Sequence, residues 1–230
     1  MATEMNSPQS QSGSRIIRLI RPSVVVLCGP AACGKSTFAA KHFRPTQIIS
    51  SDQARALVCD DERDQRFQTQ AFALVHFLVE QRLSINRLCV VDSTALAATA
   101  RKSLLELARR FHVPVVALLF DVPLETCLER DASRERTVSR TAIEHQYELF
   151  VQARSSVRQE GFDQVIELSA PDMGNVQTEI VFRPVPRPAP PNARPERRQS
   201  APHPPRFIAE GKVVQPETRA ASAPDRGPAD

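Results

Sequence analysis

An apolar segment that runs into a glycine-containing loop constrains this chain more than any other feature. Residues Ser23–Cys28 read SVVVLC, a pattern typical of a buried strand, and a helical pattern begins at Lys35. Between them Gly29–Ser36, the phosphate loop, reads GPAACGKS and fits the motif Gly-x4-Gly-Lys-Ser. Its two glycines let successive backbone N–H groups point at one anion, and the following helix presents the positive end of its dipole. Strand, loop and helix together predict a phosphate-binding site.

The phosphate loop and the residue after it are predicted to bind a nucleotide. The predicted contacts are Gly29, Pro30, Ala31, Ala32, Cys33, Gly34, Lys35, Ser36 and Thr37. Lys35 would act as a catalytic cation at the β- and γ-phosphates of ATP, and the Ser36 hydroxyl would bind Mg²⁺. We expect Lys35 at the surface of the site rather than in the protein core.

Strand and helix patterns alternate along the part of the chain that carries this loop. Strands are predicted at Ser23–Cys28, Gln47–Ile49, Leu88–Val91, Val113–Phe120 and Gln164–Leu168. Helices are predicted at Lys35–His42, Gln65–Leu83, Arg101–Phe111, Leu124–Asp131 and Ala142–Arg154. Strands that alternate with helices pair in parallel through right-handed crossovers. The predicted fold is therefore a doubly wound α/β sheet of the P-loop NTPase class, with helices on both faces and a helical lid.

Composition divides the chain into three zones, at residues 1–14, 15–182 and 183–230. The first zone is polar and is predicted to be disordered. The third holds 12 of the 19 prolines, and its nine Lys and Arg against five Asp and Glu account for the whole net charge of +4. Because it has too few apolar residues to offset its ordering entropy, we predict a disordered Pro/Arg-rich tail. The tail is either plainly solvated or an arm for nucleic acid or a protein partner.

Several classes of protein are excluded by what the chain contains. Its apolar runs are far shorter than the roughly 20 residues of a membrane span, so we expect no membrane contact. The first 14 residues lack the apolar core of a secretion signal. The five cysteines form no Cys-x-x-Cys pair and no zinc-finger spacing, which favours a reduced, cytoplasmic protein.

A polar pair after the second predicted strand indicates phosphoryl transfer. The chain has no Asn-Lys-x-Asp motif for guanine and no second ATPase-like half, so a small phosphotransferase remains. Asp52 follows the strand at the edge where ligands collect in open α/β sheets, and Arg55 falls on the same helical face. Asp52 would be the catalytic base for an acceptor hydroxyl, and Arg55 would bind a phosphate of the acceptor. The alternative is a helix N-cap beside an ordinary surface arginine.

Two further segments carry candidate site residues. Asp92 ends the third predicted strand, where it would lie near the Mg²⁺ or position the acceptor; a strand-end cap is the alternative. Arg130 and Arg134 lie four residues apart on a helix, so both project from one face. As lid residues they would neutralise the charge on the transferring phosphoryl group, whereas the alternative is a solvated, salt-bridged helix face.

In this order the motifs resemble the polynucleotide 5′-kinase family, in particular the kinase domain of bacterial polynucleotide kinase/phosphatase end-repair enzymes. The resemblance rests on GPAACGKSTFAAKHF, IISSDQARALVCDDERDQ, LCVVDST and VALLFDVPLETCLERDASRER, within residues 22–170. It implies that Lys35 and Ser36 bind ATP and the metal. It also implies that Asp52 is the general base and that Arg55 contacts the phosphate of the acceptor.

The same resemblance assigns Arg130 and Arg134 to a lid over the phosphate donor, and Asp92 to the strand-end aspartate. It implies an ATP- and Mg²⁺-dependent kinase that acts on the 5′-hydroxyl ends of a nucleic acid, DNA or RNA. One alternative is a kinase of a small molecule on the same scaffold. The other is a binding module that hydrolyses ATP and acts through its tail.

Overall fold

Seven strands and seven α-helices build the part of the chain that the computed structural model describes, residues 15–134 and 137–183. The strands are β1 (Arg15–Arg21), β2 (Val24–Cys28), β3 (Ile48–Ser50), β4 (Cys89–Asp92), β5 (Val115–Asp121), β6 (Gln164–Ser169) and β7 (Val176–Phe182). The helices are α1 (Lys35–His42), α2 (Ser51–Cys59), α3 (Gln68–Ser84), α4 (Ala98–Arg110), α5 (Leu124–Ala132), α6 (Arg140–Ser156) and α7 (Asp172–Asn175). The two termini for which disorder is predicted lie outside the described residues, apart from Arg183.

Five of the strands form one parallel sheet in the order β3-β4-β2-β5-β6. Every residue of the central strand β2 is buried, which explains its continuous apolar sequence. Since all five strands run the same way, their carboxyl ends meet at one edge of the sheet, with Cys28, Ser50 and Asp92 on neighbouring strands. The predicted parallel α/β fold of the P-loop NTPase class is confirmed.

The two faces of the sheet carry separate parts of the core. On β2, Val24 and Val26 pack toward buried residues of α3 and α4, whereas Val25 and Leu27 pack toward α1 and α5. Side chains alternate between the faces of a strand, so a strand buried on both sides needs apolar residues at every position. Helices cover both faces, as the fold class predicts.

A second, two-stranded sheet was not predicted from the sequence. In it β1 pairs in parallel with β7, from Arg15 opposite Val176 to Arg21 opposite Phe182. Ile17 and Leu19 of β1 are buried in the same core as α1, while the intervening Arg18 is exposed. The partner strand lies more than 150 residues away in sequence, so local patterns contain no signal for this pairing.

Helix boundaries differ from the predictions by a few residues at most. Gln65–Phe67 form a 3₁₀ turn, so the long helix α3 begins at Gln68 rather than Gln65. Helix α4 begins at Ala98, three residues before the predicted start. None of the helices in residues 15–134 and 137–183 is long and apolar enough to cross a membrane.

Candidate active site

The phosphate loop turns sharply between β2 and α1, and its two glycines are sterically required. A Cβ atom on Gly29 would lie 2.8 Å from the Sγ atom of Cys33 and 3.1 Å from the Cβ atom of Phe120. Gly34 has φ 103°, in the left-handed region that favours glycine. The residues therefore hold the backbone in a loop that only glycine allows at these two points.

Lys35 lies beneath this loop and is only 7% exposed. Its Nζ atom donates hydrogen bonds to the carbonyl oxygens of Gly29, at 2.9 Å, and Pro30, at 2.6 Å. Lys35 lines the site, as expected, but little of its side chain is exposed because the loop curls its own carbonyl groups around the ammonium. The charge is nevertheless held directly at the loop, where phosphates would bind.

Ser36, Asp52 and Asp92 meet Lys35 at the carboxyl edge of the sheet. Ser50, which precedes α2, pairs in register with Asp92, so the two strands end side by side. Burial raises the pKa of Asp92, and the nearby charge of Asp52 raises it further, while a hydrogen bond from Ser36 and the charge of Lys35 act in the opposite direction. The strand ends and the phosphate loop place the two carboxylates, the hydroxyl and the ammonium in one cleft.

The hydroxyl of Ser36 and the carboxylate of Asp92 are suitable ligands for Mg²⁺, directly or through water, because this ion prefers oxygen ligands. Within residues 15–134 and 137–183, no three His, Cys, Asp or Glu side chains form a group that could hold a metal by themselves. This donor set fits an ion that completes its shell with phosphate oxygens and water, as Mg²⁺ does at phosphate loops.

Arg55 is 2% exposed and forms the floor of the cleft below Asp52. Its Nη1 atom donates to Asp52 Oδ1 at 2.8 Å and to the carbonyl of Glu62 at 2.6 Å, and Nη2 donates to Gln68 Oε1. Asp52 itself has a side chain that is 51% exposed at the mouth of the cleft. The guanidinium thus orients the carboxylate, and its contact with a phosphate of the acceptor stays a prediction.

The two predicted lid arginines lie on different elements, because Arg130 is on α5 whereas Arg134 follows the end of that helix at Ala132. The prediction that both project from one helical face is therefore wrong. Arg130 donates from Nη1 to the carbonyl of Cys33 at 3.1 Å, and Arg134 is exposed beside the cleft. The segment between α5 and α6 is attached to α5 by a hydrogen bond, because the Oδ2 atom of buried Asp131 accepts from the N–H of Val138 at 2.9 Å. The structure therefore brings both arginines to the loop, and their effect on a transferring phosphoryl group stays a prediction.

Two hollows border the phosphate loop. The cleft, of about 700 Å³, contains Lys35, Asp52 and Asp92 together with Gln65, Gln68 and Phe72, of which the last three were not predicted as site residues. The second hollow, of about 470 Å³, is lined by Thr37, Phe38, Lys41, Arg130, Ala170 and Met173. Ala32, Gly34 and Arg134 border both, so the two hollows adjoin at the phosphate loop.

Sequence reasoning also missed Arg101, which supports the loop after β4. Arg101 is 1% exposed, donates to the carbonyls of Ala95 and Leu96 at 2.8 and 2.7 Å, and pairs with Glu160. The residue before Ala95 is Thr94, and its carbonyl oxygen accepts a hydrogen bond from the backbone N–H of Gly29 at 3.1 Å. Arg101 therefore stabilises a segment that in turn binds the first residue of the phosphate loop. A signal existed, because Arg101 shares its helical face with Leu104, Leu105 and Ala108, which are apolar and buried.

The sequence pattern of AAA domains, in the family AAA_33, matches residues 24–155, which is more than half of the chain. The chain belongs to this AAA domain family. Together with the phosphate loop, this makes it a kinase-type ATP-binding domain of the P-loop class. No protein among the curated sequences matches it significantly.

Three solved structures illustrate what this AAA domain matches, and the first of them is similar to it in fold. A chain of the Pnkp1/Rnl/Hen1 RNA repair complex has a TM-score of 0.52 and 18% identity, over 60% of this chain and 47% of that one. A gluconokinase from Sinorhizobium meliloti 1021 has a TM-score of 0.40 and 18% identity, over 64% and 82%. The Mycobacterium tuberculosis APS kinase CysC, in complex with AMPPNP and APS, has a TM-score of 0.43 and 15% identity, over 66% and 90%. The chain spans about half the length of the first of these.

Proposed function

We propose that this protein is an ATP- and Mg²⁺-dependent kinase that transfers the γ-phosphate of ATP to the 5′-hydroxyl end of a polynucleotide. The observation that carries the proposal is the position of Asp52. Its carboxylate is held by Arg55 in the same cleft as Lys35, so a base and a phosphate-binding cation border one space. A hydroxyl that enters this cleft can reach the base and the terminal phosphate together.

The two hollows suggest how ATP lies across the phosphate loop. The nucleoside fits the hollow beside Phe38 and Met173, and the phosphates pass over Gly34 toward Lys35. Ser36 and Asp92 would hold the Mg²⁺, which when bound offsets the negative charge of the phosphates. The terminal phosphate then lies in the cleft that contains Asp52.

Transfer in this arrangement is an in-line displacement. Asp52 accepts the proton of the acceptor hydroxyl as the new bond forms between that oxygen and the γ-phosphorus. The bond from the γ-phosphorus to the bridging oxygen breaks, and ADP leaves with the electron pair. Lys35 and the lid residues Arg130 and Arg134 stabilise the charge that spreads over the transferring group.

A polynucleotide acceptor is supported by the motifs and by the composition of the cleft. The order of the motifs resembles polynucleotide 5′-kinases, and the fold resembles a chain of an RNA repair complex. Gln65, Gln68 and Phe72 line the side of the cleft that lies beyond Asp52. Side-chain amides and an aromatic ring can contact the sugar and base of one terminal nucleotide.

A small-molecule acceptor is the second candidate, and the engagement of Arg55 favours it. Its guanidinium already donates hydrogen bonds to Asp52, Glu62 and Gln68. Fewer N–H groups therefore remain for a phosphate of the acceptor than on a solvent-facing arginine. The cleft of about 700 Å³ also lies within the range of pockets for small ligands, roughly 300–1,000 Å³.

Transfer from γ-labelled ATP to a panel of acceptors tests the proposal. The panel contains 5′-hydroxyl oligonucleotides, a nucleoside, the same nucleoside with a 3′-phosphate, and small alcohols. We expect the oligonucleotides and the 3′-phosphorylated nucleoside to react about 10- to 100-fold faster than the plain nucleoside, since a charge-assisted contact contributes roughly 1.5–3 kcal/mol. Equal rates for the nucleoside or an unrelated alcohol would contradict the polynucleotide proposal and favour the second candidate.

A further inference from the structure

Helix α6 reaches the phosphate loop through one side chain, Gln146. Its Oε1 atom accepts a hydrogen bond from the backbone N–H of Ala31 at 2.8 Å, across 115 residues of sequence. Ala31 is the third residue of the loop, so this hydrogen bond joins the backbone of the loop to α6. Gln146 is half-buried and also lines the cleft that contains Asp52.

The hydrogen bond determines which way the amide of Gln146 is turned. A backbone N–H can only donate, so the partner atom has to be the carbonyl oxygen of the side chain. The NH₂ group of the same amide therefore points away from Ala31, on a residue that borders the cleft. It is a neutral donor, able to bind a phosphoryl oxygen without a proton being transferred.

The position of Gln146 selects the terminal phosphate over the others. Ala31 and Gln146 line the cleft, whereas neither lines the second hollow, where Phe38 and Met173 lie. With the nucleoside in that hollow, the phosphates cross the loop and the last of them reaches the cleft. In that orientation the α- and β-phosphates would lie near Gly34, which borders both hollows.

We propose that Gln146 is a γ-phosphate contact that makes the site discriminate ATP from ADP. Its carbonyl fixes the Ala31 N–H, and its NH₂ group donates to an oxygen of the terminal phosphoryl group. Because α6 follows the loop that carries Arg134, the same contact links the position of this lid residue to the binding of a γ-phosphate. The inference rests on the proposed function for the direction in which ATP lies.

Calorimetric titration of the full chain with Mg²⁺ and either ADP or the β,γ-imido analogue of ATP tests this assignment. Gln146→Glu keeps an acceptor for the Ala31 N–H but removes the donor and places a negative charge beside the γ-phosphate. We expect its affinity for the analogue to fall at least about tenfold, and that for ADP to change by less than about threefold. Gln146→Ala should lose about fivefold for the analogue alone. Gln152→Glu, on an exposed position of the same helix, is the matched control and should alter neither affinity.

The outcomes separate this inference from the proposed function. An equal loss for both nucleotides in Gln146→Glu, or no loss for either, would make Gln146 a structural link between α6 and the loop and would overturn the assignment. If the wild type binds both nucleotides but phosphorylates no acceptor, the proposed function fails while the ratio of affinities still decides the role of Gln146. Absence of nucleotide binding by the wild type would overturn both.

Discussion

The two sides of the cleft are built in different ways. On the donor side, the phosphate loop presents consecutive backbone groups from one short segment, Gly29–Ser36, between a strand and a helix. On the acceptor side, Asp52, Arg55 and Gln68 come from two helices and meet through their side chains. In the proposed function a phosphate would be recognised by backbone that a local motif specifies, and an acceptor by side chains whose directions depend on packing.

Each side rests on a buried arginine, and the two arginines differ in what they support. Arg101 holds carbonyl groups behind the phosphate loop, far from solvent, so its loss should lower stability. Arg55 holds the carboxylate of Asp52 inside the cleft, so its loss should lower turnover. Variants on the two sides can therefore separate nucleotide binding, catalysis and folding.

The largest effect is expected on the donor side, from Lys35→Ala. Loss of the cation at the β- and γ-phosphates should slow transfer by about 1,000-fold or more with every acceptor. Transfer from labelled ATP measures this, and circular dichroism checks the fold, because Lys35 is buried against loop carbonyls. Lys102→Ala, an exposed position of α4, is the control. Substantial transfer by Lys35→Ala would contradict the assignment of the phosphate loop.

Glu160→Gln should lower the free energy of unfolding by about 3 kcal/mol at neutral pH, because it leaves the buried charge of Arg101 without its partner. Hydrogen bonding from Arg101 holds the pKa of Glu160 below its usual value of 4.5. The stabilisation is therefore present above about pH 4.5 and is lost as the pH falls through the lowered pKa. Urea denaturation of both proteins across this range should show the difference shrinking in acid, and a difference that stays constant would contradict this role.

On the acceptor side, Asp52→Asn should lower kcat by about 100-fold, because a general base acts in the transition state. Its affinity for ATP should stay within about threefold of the wild type, as measured by titration. Asp60→Asn, at the exposed end of α2, should change neither quantity. Normal kcat with weak ATP binding would instead make Asp52 a contact of the nucleotide or the metal.

Arg55→Lys separates orientation of the base from binding of an acceptor phosphate. Lysine keeps the charge but cannot bind Asp52 and Gln68 through two nitrogen atoms at once. We expect kcat to fall about tenfold with both acceptors, and an equal fall for a nucleoside and its 3′-phosphate would leave Arg55 with the orienting role alone. A selective loss for the phosphorylated acceptor would instead give Arg55 the phosphate-binding role that the sequence predicts.

The smallest effects are expected in the lid. Arg130→Ala and Arg134→Ala should each slow transfer by about five- to tenfold, with partial rescue by lysine because the two-nitrogen contact is lost. Arg130 should have the larger effect, since it already binds the carbonyl of Cys33. Arg158→Ala, on an exposed ion pair with Glu167, serves as the control. Unchanged rates in both lid variants would support the solvated-helix alternative.

The sequence by itself determined the central fold and the donor side of the site. Periodic apolar residues predicted the five strands of the main sheet, and the spacing of two glycines, Lys35 and Ser36 predicted the phosphate loop. These features are local, because a strand buried on both faces and a loop at positive φ each restrict the residues that can occupy them. Asp52 and Asp92 could be assigned to one edge because parallel strands end together.

The tertiary structure alone decided what those elements touch. Only packing brings β1 to β7, Arg101 to Glu160 across 59 residues, and Gln146 to Ala31 across 115. It also turned Arg55 inward, toward Asp52 and Gln68, where the sequence pattern allowed a solvent-facing side chain equally well. The physical reason is that a side chain's direction depends on the free energy of all its neighbours at once, and residues far away in sequence supply most of these neighbours.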